Sequence, residues 1–118
     1  MVQLEDIARA AIAGEALSVR SLTQDWLAAE RHLAKVPRPE NVDERVRIVA
    51  AALIELFALR RGEPAPDWTA QIGPLSEPMF LLRYAATMPR LRRMCELESP
   101  EPLRRRRIFA PADYLVAA

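Results

Sequence analysis

One cysteine, one histidine, one lysine and three glycines are all that this chain of 118 residues carries of those types. Each scarcity removes a class of function. A single thiol, Cys95, excludes an intramolecular disulfide and a cysteine-rich metal site, and fits a reducing cytoplasm. With Met94 beside it on an apolar face and no local histidine, it reads as a core thiol rather than a nucleophile. His32, set between Glu30 and Lys35, reads as a surface histidine rather than a general base. Gly14, Gly62 and Gly73 are scattered, so no glycine-rich phosphate loop exists. Glu96 and Glu98 lie two apart and point to different sides of a helix, which excludes a paired metal site there. The adjacent acids Glu5 with Asp6, and Asp43 with Glu44, sit at predicted helix starts, where they offset the macrodipole. The expectation is a protein that is not an enzyme and uses no metal or cofactor.

An excess of charge is missing too. Seventeen basic residues oppose sixteen acidic ones, a net of +1, whereas a dedicated nucleic-acid binder is usually more basic. No long hydrophobic run is present: Ile48 to Leu59 is interrupted by Glu55 and too short to span a bilayer. The start carries Glu5 and Asp6 before any apolar stretch, unlike the basic opening of a secretory signal. These features predict a cytoplasmic protein with no membrane partner. Alternating runs long enough for a sheet are absent as well.

What is present is helical spacing. The length suffices for one domain with its own hydrophobic core, and the expected fold class is all-α, a compact bundle of five to six helices. Leu4, Ile7, Ala8, Ala11 and Ile12 form one face of a first helix, which Gly14 can stop in the left-handed conformation. Ser18 or Ser21 is the predicted cap of a second, with Leu22, Trp26, Ala29 and Leu33 on one stripe and an end before Pro37. Asn41 or Asp43 caps a third, which buries Val46, Val49, Ala50, Leu53, Leu56 and Phe57 and stops at Gly62. The short link between the second and third predicts an antiparallel hairpin. Pro64, Pro66, Pro74, Pro78 and Gly73 make residues 63–78 a proline-rich connection, with Trp68 as the anchor that pins it. Met79 to Met88 is compatible with helix through Phe80, Leu81, Tyr84, Ala85 and Met88. Pro89 starts a further helix, with Thr87 or Met88 as its cap, and Ser99 with Pro100 repeats that signal for the tail. The predicted organisation is one domain over 1–118: a helical hairpin core at 1–62, the connection at 63–78, and C-terminal helices with an arginine-rich tail at 79–118.

The tail holds the one strong local bias. Between Arg83 and Arg107 eight arginines face three acids, leaving the rest of the chain acidic. A surface polarised in this way suits a phosphate backbone or an acidic partner. The candidate partner-binding residues are Arg90, Arg92, Arg93, Arg104, Arg105, Arg106 and Arg107. On a helix Arg104 and Arg107 share a face while Arg105 and Arg106 point elsewhere, so the four cannot grip one ligand together. Leu103, Ile108, Phe109 and Tyr114 read as packing anchors for the tail, as Trp26 does for the core. An arginine turned inward by them needs a carboxylate or helix-end carbonyls, for which Glu96, Glu98 and Asp113 are nearby candidates.

The segments PAPDWT (Pro64 to Thr69) and SPEPLRRRRIFAPADYL (Ser99 to Leu115) together resemble small helical proteins encoded beside nucleotidyltransferase-type toxins in bacteria, which look like antitoxins. In that family a hydroxyl, prolines, a large apolar residue, an arginine-rich run, a hydrophobic residue and an aromatic recur in order. Ser99, Pro100, Leu103, Arg104 to Arg107, Phe109 and Tyr114 match that order. The resemblance covers the last 55 residues or so, and implies a protein that works by binding, with a nucleotidyltransferase-like protein as partner. Longer members carry a helix-turn-helix DNA-binding domain, and no recognition helix is evident in this chain. Two alternatives stand beside it: a small nucleic-acid-binding protein using the basic region 90–107, and a self-associating helical scaffold that pairs as a homodimer.

Overall fold

Helix ends fix the first half of the chain. In the computed structural model, which describes residues 1–116, the Gln3 N–H donates to the Asp6 carboxylate at 2.9 Å and opens α1, Leu4–Ala13. Residues 117 and 118, the end of the expected domain, lie outside the described residues. Gly14 stops α1 with a φ of 74°, where its missing Cβ removes the steric cost of the left-handed turn. The chain then reverses so tightly that α2, Ala16–Ala29, begins two residues later. The caps expected at Ser18 or Ser21 therefore lie inside the helix. Asp43 Oδ1 accepts the Val46 N–H at 3.0 Å and opens α3, Glu44–Arg61, and Gly62 closes it with a φ of 67°.

α3 is the core helix. Val46 and every residue from Ile48 to Ala58 are buried, so it presents no continuous solvent face along that stretch and must be enclosed. α1 lies along it, the short α5, Glu101–Arg104, covers another side, and 3₁₀ turns at Leu33–Lys35 and Asp67–Gln71 complete the wrapping. The expected antiparallel hairpin of the second and third helices is thus corrected: α1 is the main neighbour of both α2 and α3. α2 also ends earlier than its apolar stripe implied, and Leu33 belongs to the separate 3₁₀ turn. The cause lies at the end of α3. Arg61 donates to the carbonyls of Leu27, Glu30 and Arg31, while the Glu63 carboxylate accepts the Leu33 N–H at 3.2 Å and an Arg61 N–H at 2.7 Å. Those bonds satisfy the α2 terminus without another helical turn. They also hold the Glu63 carboxyl below the usual range, the Leu33 N–H first among the causes and opposed by partial desolvation.

The second half departs further from an all-α plan. Met79 to Met88 is not helix. Met79–Phe80 forms a short strand, β1, which pairs in parallel with β2, Ile108–Phe109, in the register Met79 to Ile108 and Phe80 to Phe109. Helical spacing lost to this pairing because Met79 N–H and Leu81 N–H donate to the carbonyls of Arg107 and Phe109, each at 2.9 Å, and the Phe80 and Phe109 rings meet at 5.3 Å. Pro89 occupies the first turn of α4, Pro89–Glu98, with Met88 at its cap position. The protein is therefore mostly helical, with five α-helices and a two-stranded parallel sheet among the described residues. No helix among them is long and apolar enough to cross a membrane.

Candidate functional site

The four-arginine run is folded onto the body of the protein, and its residues have separate tasks. α5 ends in a tight turn whose last residue, Arg107, takes a φ of 65° before β2 begins. That turn drives Arg106 into the interior, where only 3 % of its surface remains exposed. Its guanidinium forms a two-point ion pair with Glu55 and also donates to the carbonyl of Thr69 at 2.9 Å and to that of Pro102. Arg105 reaches the same Glu55 from the surface side and lies 3.9 Å from Glu101. Arg107 donates to the Ser76 carbonyl at 2.8 Å, and Arg104 to that of Leu97 at 3.4 Å, near the end of α4.

Glu55 is the partner that local reasoning missed. Glu96, Glu98 and Asp113 were the expected acids, yet none of them meets the run. Burial opposes ionisation of Glu55, but the Arg106 hydrogen bond and the charges of Arg106 and Arg105 outweigh it, and its carboxyl lies below the usual range. A signal for it existed in the sequence: one acid inside the apolar run Ile48 to Leu59 must either break the helix face or find a cation.

Backbone bonds fasten the same tail along its length. The buried Ser99 hydroxyl accepts the Ala110 N–H at 2.9 Å and donates to the Cys95 carbonyl, while Leu75 N–H donates to the Arg106 carbonyl at 3.1 Å. Arg60 donates to the carbonyls of Tyr114 and Ala112. Trp68 is half-buried and donates from Nε1 to the Val36 carbonyl at 2.8 Å, Trp26 is buried with its ring 6.1 Å from that of Phe57, and Phe109 stacks on Phe80. Burial pushes the Tyr114 phenol well above its usual range, so it stays neutral. The Cys95 thiol is also pushed up, by burial first and then by Glu98 and Glu96, which leaves it a poor nucleophile.

The other three candidate arginines lie on α4. Arg92 is occupied: its guanidinium sits 5.1 Å from the centre of the Phe80 ring, 3.6 Å from Glu96, and donates to the Ala86 carbonyl. Arg90 and Arg93 are exposed, with no ion pair within 4.0 Å among the described residues, and Leu97 continues their face one turn on at 62 % exposure. The structure thus separates the seven residues into five engaged within the protein and two free. Beside the start of α4 lies a groove of about 640 Å³, bounded by the α1–α2 turn, residues 81–84 and the segment 113–116. Among the described residues no group of three or more acidic, histidine or cysteine side chains is placed to hold a metal ion.

No protein-family model matches the chain, and comparison with curated proteins and with solved structures finds no match either.

Proposed function

We propose that the chain is a non-enzymatic protein-interaction module of the cytoplasm, an antitoxin-like partner of a nucleotidyltransferase-like protein. The observation that supports this best is the outer face of α4, where Arg90, Arg93 and Leu97 follow one another at helical spacing, exposed and unpaired. Two cations beside an exposed leucine form the kind of surface that meets an acidic, partly apolar patch on another protein. In this reading Arg104 to Arg107 do not enter the partner. They hold the tail so that α4 is presented rigidly, a division of labour that the pairing of Arg105 and Arg106 with Glu55 supports.

Pull-down of the tagged full chain from its own cell, compared with the Arg90→Glu/Arg93→Glu variant, tests the proposal. A stoichiometric nucleotidyltransferase-like partner retained by the parent and lost at least tenfold by the variant is the expected result. Failure to retain such a protein, or equal retention by the variant, overturns it. Both substitutions are on solvated positions, so the variant should keep the parent's thermal midpoint.

A further inference from the structure

The groove beside α4 has a chemistry of its own, which the sequence pattern did not single out. Its floor is carbon: Ala11, Val19, Leu81 and Leu91 come from four separate segments and converge there. Around the rim the apolar surface continues into solvent. Tyr84 is 62 % exposed and Met88 51 %, two large side chains left uncovered around one depression. Contiguous apolar surface of that kind on a folded domain marks a contact site, and the volume is that of a ligand-sized cleft.

Charge selects the occupant. Arg20 on α2 and Arg83 in the 81–84 turn both line the groove, and neither has an ion pair within 4.0 Å among the described residues. Arg83 rests 5.9 Å from the centre of the Tyr84 ring. Among the described residues the one acid in the lining is Asp113, whose charge also acts on Arg60 and opposes the effect of burial on that guanidinium. An apolar floor flanked by uncompensated arginines is complementary to a segment with an apolar stripe and carboxylates on its edges. A nucleic acid would leave the carbon floor unfilled, and a basic segment would meet like charge.

We propose that this groove docks an acidic amphipathic helix of a partner protein, its apolar stripe seated between α2 and the start of α4 and its carboxylates on Arg20 and Arg83. The assignment rests on the protein-interaction reading and adds the site and the chemistry of the partner segment. Insertion of a helix face into an apolar groove needs anchors at i, i+3 or i+4, and i+7, with specificity set by the flanking charges.

The probe is a fluorescent 18-residue helical peptide with leucine and phenylalanine at those anchor positions and glutamate on both flanks, with a lysine-flanked twin as control. Anisotropy titration of the full chain should show the glutamate peptide binding at least tenfold more tightly than its twin. Amide shifts should concentrate at Ala16, Val19, Arg20, Leu81 to Tyr84 and Leu91, and Arg20→Glu/Arg83→Glu should reverse the preference. Equal binding of the two peptides, binding of neither, or shifts confined to other surfaces overturns the assignment. So does sedimentation that shows a dimer abolished by Met88→Glu, which gives the groove to a second copy, or binding to anionic vesicles abolished by the same change, which gives it to lipid. If a native partner is lost by Arg90→Glu/Arg93→Glu but fully retained by Arg20→Glu/Arg83→Glu, the interaction reading stands and the groove assignment falls.

Discussion

Glu55 ties the central helix to the tail. It sits on the enclosed helix α3 with 9 % of its surface exposed, and two arginines from a segment fifty residues away converge on it. Because its carboxyl lies below the ordinary glutamate value of 4.5, the folded protein binds fewer protons there than the unfolded chain as pH falls through that value. Its contribution to stability is therefore complete above that value and is lost as pH falls through the folded one. Denaturation at about pH 6 and about pH 3.5 should show the parent losing more stability than Glu55→Gln, which has no carboxyl to protonate. Thr23 makes the opposite point. Its hydroxyl is buried on α2 without a hydrogen-bond partner among the described residues, so an apolar isostere removes a cost. Thr23→Val should raise the unfolding free energy by about 1 kcal/mol, read from the midpoint of a urea titration.

Elements bounded by their own residues were legible in the sequence, and elements bounded by distant ones were not. α1 and α3 stop where Gly14 and Gly62 take left-handed backbone, and α3 starts where Asp43 caps it. At Gly62 nothing lies within 4 Å of where a Cβ would be, so Gly62→Ala tests the backbone alone. It should cost about 1 kcal/mol in chemical denaturation while leaving the native amide spectrum unchanged beyond the adjacent turn. α2, by contrast, runs past its apparent serine caps because Gly14 lets it start early, and it ends early because Arg61 and Glu63 satisfy its last groups. Met79 to Met88 carried a helical spacing of apolar residues, yet the bonds from β2 drew its first residues into a strand. Spacing reports which residues prefer burial; it does not report that a segment thirty residues later offers carbonyls in register. The same limit holds for the arginine run: Glu96, Glu98 and Asp113 are near it in sequence, but the buried pair is with Glu55, and Arg104 donates to a carbonyl near a helix end, that of Leu97. The lone acid within Ile48 to Leu59 was visible, but nothing local connects residue 55 to residues 105 and 106.

At the scale of the whole molecule, the chain folds around α3 and then closes on it with its tail. α5, β2 and the turn between them return to α3, so the most basic stretch of the sequence is anchored on the core through buried Arg106, with Arg104, Arg105 and Arg107 exposed. Among the described residues the cations without an ion pair near the groove and on α4, namely Arg20, Arg83, Arg90 and Arg93, have apolar side chains for neighbours. Glu55 and Arg106 act as one buried pair that holds the tail, and a double-mutant cycle in urea measures that most directly. Glu55→Gln should cost about 3–5 kcal/mol, because it leaves Arg106 buried without a counter-charge, and Arg106→Met should cost less, because Glu55 keeps Arg105. The double variant should cost less than the sum by about 2–3 kcal/mol, the signature of direct coupling. Single variants within about 0.5 kcal/mol of the parent, or costs that simply add, would show that the pair does not hold the tail.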